Sequence, residues 1–141
     1  MDQRFLAQAF RLAQQGRFTT DPNPRVGCVL VREGRVIGEG FHQMAGGPHA
    51  EAEALANATE SVVGATAYVT LEPCAMCCGA MLHARVKRVV FGAADPKTGM
   101  AGSVGNVFSI KQINHQTEVQ GGVLAEECGE LLREFFRQRR I

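Results

Sequence analysis

Apolar residues Phe5, Leu6, Ala9, Phe10, Leu12 and Ala13 recur at helical spacing, and Gly16 follows where a C-terminal cap belongs. The chain therefore opens on an amphipathic helix. Val26 to Arg32 and Arg35 to Phe41 are β-branched runs separated by Glu33-Gly34, a pair suited to a two-residue hairpin turn. These runs predict two antiparallel strands. His49 to Ala58 turns to Ala, Glu and Leu, which favour helix, and Ala65 to Leu71 returns to strand character.

Beyond these, Cys74 to Ala84 reads as a short helix, Lys87 to Phe91 as a fourth strand and Glu118 to Val123 as a fifth, with a long closing helix from Leu124 to Arg140. Strands that alternate with helices after an opening hairpin predict an α/β three-layer sandwich, a mixed five-stranded sheet with helices on both faces. No linker, repeat or low-complexity segment interrupts this order, so residues 1–141 are expected to form a single domain.

Composition changes the picture little. Fifteen basic against 14 acidic residues give a formal charge of +1, which announces no nucleic-acid or anionic-membrane partner, so any basic footprint must be local. No apolar run approaches the roughly 18 residues that span a bilayer. Five cysteines are an odd count, and the N-terminus, with Asp2 and Arg4, does not read as a signal peptide. A reducing cytoplasmic location is expected.

The chemistry lies in His49-Ala50-Glu51 and, one helix and one strand later, Pro73-Cys74-Ala75-Met76-Cys77. Two cysteines three residues apart on a first helical turn face the same way, and an imidazole from another helix completes three ligands of a tetrahedron. The fourth corner is left for water, so one Zn2+ with a bound water or hydroxide is expected per chain. Free N–H groups at the two helix starts favour deprotonated sulfur at Cys74 and Cys77, and Pro73 suits a helix entrance. Glu51, two residues along from His49, points away from the ligand direction and is expected to shuttle protons.

Bland readings compete with each of these. Cys74 and Cys77 could belong to a closed structural zinc site, but such a site normally has four Cys or His ligands. Cys78, at a same-faced spacing of four from Cys74, could replace Cys77 as ligand; Cys77 is preferred, with Cys78, Cys28 and Cys128 read as small core residues. Gly99 to Gly105 is glycine-rich without the spacing of a phosphate-binding loop.

The His-x-Glu and Pro-Cys-x-x-Cys pairing resembles the signature of the cytidine deaminase superfamily, in which the metal activates water and the glutamate serves as general acid and base. By that resemblance Glu51 protonates the ring nitrogen and then the leaving amine of a nucleobase. Two branches resemble different halves of the chain. Residues from about Leu12 to Pro73, with Gly16 to Thr20, Pro22-Asn23-Pro24, Val26 to Val29 and Gly38 to His42, resemble the deaminase domain of bacterial riboflavin biosynthesis, which acts on an aminopyrimidine ribotide. Residues from Cys74 onward, with Cys74 to Met81, Arg88 to Gly92, Asp95 to Gly99, Asn114-His115 and Phe135-Phe136-Arg137, resemble bacterial tRNA adenosine deaminase, which makes inosine at the anticodon wobble position.

Each half departs from the other branch. The riboflavin branch usually spaces its zinc cysteines further apart, whereas the tRNA branch usually has Asn where this chain has His42 and Arg where it has Gln116. The resemblance implies that Asn23 and His42 line the base pocket, that Ala50 offers its backbone to the exocyclic amine, and that Asp95 faces neighbouring nucleotides. Taken without the family, Asn23 is a turn residue between prolines and His42 a surface histidine at a strand end. Arg133, Arg137, Arg139 and Arg140 read as a nucleic-acid face or as a solvated helix end, and on their own the second reading is preferred.

The leading expectation is hydrolytic deamination of adenosine in a tRNA anticodon loop, where the base is already unstacked. The alternative is a free aminopyrimidine ribotide or other small nucleobase. A third reading, from another class, is a natural or engineered chimera of the two branches joined near Ala65 to Cys74, with zinc serving mainly folding or assembly. Partners are tRNA or a small nucleobase, with no membrane, and the resemblance implies a homodimer.

Overall fold

The computed structural model describes residues 2–16, 25–44, 46–111 and 115–139. Its elements are α1 (Asp2–Gln14), β1 (Gly27–Arg32), β2 (Arg35–Phe41), α2 (Ala50–Ala56), β3 (Thr66–Leu71), α3 (Ala75–His83), β4 (Arg88–Ala93), β5 (Glu118–Gln120) and α4 (Ala125–Arg139). The strands form one sheet in the order β2-β1-β3-β4-β5, antiparallel through β2, β1 and β3 and parallel from β3 through β4 to β5. The expected mixed five-stranded sheet is what the chain builds.

The hairpin forms as its turn chemistry requires. Glu33 and Gly34 both take positive φ, 53° and 77°, the backbone of a two-residue turn whose twist matches its strands. Alternate residues of the central strands then divide between two cores. Cys28, Leu30, Ala67, Val69, Val89 and Phe91 pack with Ala50 and Ala54 of α2 and Cys78 and Met81 of α3. Val29, Val31, Tyr68 and Val90 pack with Phe5, Leu6 and Ala9 of α1 on the opposite face. Helix α4 lies beside α1, with Phe10 and Gln14 sharing a groove with Glu127 and Leu131. Helices therefore cover both faces, as expected for three layers.

Helix and strand ends differ from the sequence reading for local reasons. Leu124 has a φ of 53°, outside the right-handed helical region, so α4 starts at Ala125. Strand β5 stops at Gln120 because Gly121 sits against the Phe91 ring and Gly122 turns away at a φ of 86°. Helix α3 ends in a left-handed residue, Arg85; the amides of Arg85 and Val86 donate back to the carbonyls of Leu82 and Met81, each at 3.1 Å. That stop turns the chain directly into β4, completing the parallel β3–α3–β4 crossover.

One contact on each face of the sheet holds a helix in place. Arg88 on β4 grips the Asp2 carboxylate through two hydrogen bonds of 2.9 Å, and the Tyr68 hydroxyl donates to the same group at 2.8 Å. The guanidinium holds the Asp2 carboxyl below its usual range. On the other face α2 rests directly on the backbone of β2. A Cβ on Gly40 would lie 2.5 Å from both the Ala50 carbonyl oxygen and the Ala54 nitrogen, and one on Gly38 would lie 2.5 Å from the Ala54 carbonyl oxygen. Only glycine permits that approach. Gly40→Ala is accordingly expected to lower stability by about 1–3 kcal/mol through overpacking against the α2 backbone. Urea unfolding of the two proteins would measure the difference, and a value near zero would contradict the close approach.

Candidate metal and proton-transfer site

His49 and Cys74 both sit one residue before a helix, as the N-caps of α2 and α3. The sequence reading placed them inside helices that began at 49 and 74. Their extended backbone, with ψ of 160° and 175°, turns both side chains towards a common point at the helix starts. Cys77 follows on the first turn of α3, facing the same way as Cys74.

Among the described residues, His49, Cys74 and Cys77 bring their ligand atoms within 4.8 Å of one another. The Nδ1 of His49 lies 3.4 Å from the Cys77 sulfur and 3.8 Å from the Cys74 sulfur. Tetrahedral bonds of ordinary Zn–N and Zn–S length imply a nitrogen–sulfur separation of about 3.6 Å. One imidazole and two thiols at this spacing fit zinc in both geometry and donor softness, and three protein ligands leave a coordination position open.

Electrostatics prepare the sulfurs for a cation. The Cys74 thiol is lowered to about 5, chiefly because its thiolate accepts from the Cys77 S–H, with the amides of Cys77 and Met76 at the start of α3 adding to the effect. Cys77 is pushed the other way without a metal, since it keeps the proton it shares with Cys74. Cys78 stands apart: it is buried, its sulfur donates to the carbonyls of Pro73 and Met100 at 3.6 and 3.7 Å, and burial pushes its thiol up to about 12. It faces the protein interior and is no member of the ligand group.

Glu51 is 4% exposed, and burial lifts its carboxyl to about 7. It lies outside the ligand group but close enough for the charges of Cys74 and His49 to act on it. A carboxyl poised near neutrality beside three metal ligands can both accept and return a proton.

The remaining expected residues are placed less uniformly. His42 is buried; its Nδ1 donates to the Pro48 carbonyl at 3.0 Å, and its ring meets that of His49 edge-on at 5.8 Å. Ala50 is fully buried as the first residue of α2, where its N–H has no partner within the helix. Both oxygens of Asp95 close a local turn, accepting from the amides of Lys97 and Thr98 and from the Thr98 hydroxyl at 2.8 Å. Asn23 lies outside the described residues, as do Asn114 and the side chains of Arg137, Arg139 and Arg140.

Sequence reasoning gave no role to Glu72, beside Pro73 and Cys74. It is a buried carboxylate that accepts from the amides of Asp95, Ala101 and Ser103. Burial alone would raise its pKa, but those amides and the Ser103 hydroxyl outweigh it and hold the group below the usual carboxylate range. The one available signal was an acidic residue directly after a largely buried strand.

The titration of Glu51 makes the metal-free chain sensitive to pH. Its folded-state proton is held more tightly than in the unfolded chain, so the stability this provides is complete below about 4.5 and is lost as pH rises through about 7. Glu51→Gln in the presence of a chelator should keep that stability, gaining on the parent between these values by on the order of 3 kcal/mol. Urea unfolding across this range checks it; parallel curves for parent and variant would contradict the raised pKa.

Comparison with known proteins places these features. Residues 1–93 match the family model described as the cytidine and deoxycytidylate deaminase zinc-binding region. The chain is 45% identical over 145 residues to riboflavin biosynthesis protein RibD of Escherichia coli, covering 99% of this chain and 38% of that protein. It is 44% identical over 149 residues to the tRNA-specific adenosine deaminase of Haemophilus influenzae, covering 99% of this chain and 85% of that protein. Among solved structures, a Thermotoga maritima diaminohydroxyphosphoribosylaminopyrimidine deaminase/reductase superposes with a TM-score of 0.83 at 40% identity, over 96% of this chain and 40% of the other. A structure from a study of A-to-I editing by tRNA:A34 deaminases superposes with a TM-score of 0.73 at 34% identity, over 92% and 99%.

Proposed function

Because the chain belongs to the cytidine and deoxycytidylate deaminase zinc-binding family, we propose that it hydrolytically deaminates a nucleobase, with adenosine at a tRNA anticodon wobble position as the substrate. The convergence of His49, Cys74 and Cys77 beside buried Glu51 carries the reaction class. The compact Cys74–Cys77 spacing and the Asp95 to Gly99 segment, together with the Haemophilus influenzae relative, support the tRNA substrate.

His49, Cys74 and Cys77 would hold zinc, which when bound supplies an activated water at neutral pH to attack the reacting carbon. Glu51 takes the proton released as water adds and delivers it to the ring nitrogen; it then takes the second proton from the hydroxyl of the adduct and passes it to the amine, which leaves as ammonia while the carbonyl forms. Burial keeps bulk water from the carboxyl, and Ala50 supports the reaction by offering its backbone to the exocyclic amine.

One observation favours the second reading, an aminopyrimidine ribotide. His42 is buried edge-on to His49, in the half of the chain that resembles the riboflavin branch, and its anchored Nδ1 fixes the ring where it can face a pyrimidine. Incubating the zinc-loaded protein with an anticodon stem-loop and, separately, with the aminopyrimidine ribotide distinguishes the readings by ammonia release and product mass. Inosine is expected; turnover of the ribotide alone would transfer the assignment to the second reading. Zinc binding with no turnover of any base would favour a recombined chain whose metal serves folding.

In the same assay Glu51→Gln should retain one zinc per chain and lose about 100-fold or more of the rate. Retention of most of the rate would remove Glu51 from proton transfer. A homodimer is also proposed. Helix α3 is apolar around its circumference, with Cys77, Cys78, Met81 and Leu82 inward and Met76, 67% exposed, outward. Sedimentation should show a dimer that Met76→Glu dissociates, and a monomeric parent chain would exclude it.

A further inference from the structure

Glu72 directly follows β3 and precedes the metal ligand Cys74 by two residues, yet its carboxylate points away from the ligand group into the segment 95–103 that follows β4. Three amides donate to it at 3.0 Å: Asp95 to Oε1, and Ala101 and Ser103 to Oε2. The Ser103 hydroxyl donates to Oε1 as well. This segment contains no helix or strand, only an isolated bridge between Ala101 and Asn106, so these converging bonds set its shape.

The segment in turn grips the junction that carries Cys74. The Met100 amide donates to the Pro73 carbonyl at 2.9 Å, and the Cys78 thiol reaches both that carbonyl and the carbonyl of Met100. On the other side, the Glu72 amide donates to Ala93 on β4 at 2.9 Å. Pro73 has no amide to contribute, so its carbonyl is the one backbone handle it offers. Gly99 shows how closely the parts fit: a Cβ there would lie 2.3 Å from Glu72 Cδ and 2.6 Å from the Asp95 carbonyl oxygen.

We propose that Glu72 is a positioning residue for the metal, fastening the segment 95–103 over the Glu72–Pro73–Cys74 junction so that Cys74 is presented at ligand distance from His49. Burying this charge is accounted for by the donors it gathers. Without it three amides lose their acceptor, the Met100–Pro73 bond loosens, and the Cys74 backbone is free to drift. The inference rests on His49, Cys74 and Cys77 being the zinc ligands.

Zinc affinity of the full chain, measured by competition with a chromophoric chelator, tests it together with the visible spectrum of the Co(II)-substituted protein. Glu72→Gln should weaken zinc binding by about 10- to 100-fold and alter the Co(II) thiolate bands. Ser103→Ala, which removes one donor of the four, should weaken it by less, and it carries the test if Glu72→Gln fails to fold. Asp2→Asn, which breaks the Arg88 contact on the opposite face, should lower the melting temperature and leave zinc affinity unchanged. Zinc held as tightly by Glu72→Gln and Ser103→Ala as by the parent, or weakened no more than by Asp2→Asn, would overturn the proposal. A parent chain with no tetrahedral thiolate Co(II) spectrum would instead overturn the ligand assignment.

Discussion

Three soft donors from two separate helix starts must meet within bonding distance of one ion, and this convergence governs the rest of the structure. His49 Nδ1 and the sulfurs of Cys74 and Cys77 belong to segments that share no helix, so neither segment can shift without spoiling the ligand set. The sheet supplies the common frame. Strand β3 delivers Cys74 at its end, and α2, seated on β2, delivers His49 and Glu51 to the same place. Where strands run parallel, their carboxyl ends and the following helix starts gather functional groups in this way. Here the antiparallel β2–β1–β3 half brings α2 to that same end.

The two helix starts do more than place atoms. Amides at the start of α3 face the Cys74 sulfur, which suits its thiolate, while the interior around Glu51 disfavours its charged form. Adjacent groups are thereby driven in opposite directions, the Cys74 sulfur towards the anion and the Glu51 carboxyl towards the acid. The first effect comes chiefly from the Cys77 S–H with help from the α3 amides, the second from burial, and both require α2 and α3 to begin where they do. Gly38 and Gly40 secure α2 by letting it lie against bare backbone.

Much of this was legible in the chain. The hairpin followed from Glu33-Gly34 between β-branched runs, and the ligand set from cysteines one helical turn apart paired with a His-x-Glu segment, because each depends on neighbours close in sequence. The site's outer supports were less legible. Glu72 collects donors from a segment more than twenty residues downstream, a contact that no periodicity encodes. The part Asp95 plays in closing the turn it begins was not read from the chain either. Helix limits at His49, Cys74 and Leu124 depended on single backbone angles, which composition describes poorly.

The separation of the ligands along the chain has a thermodynamic side. His49 lies 25 residues before Cys74, so an ion held by both acts as a reversible cross-link around α2 and β3. Closing a covalent loop of that size removes about 3 kcal/mol of denatured-chain entropy in the simple polymer estimate. The same ion that serves chemistry would therefore bias the chain against unfolding between its two halves. Metal supply in the surrounding solution then becomes a determinant of how long the fold persists as well as of whether it reacts.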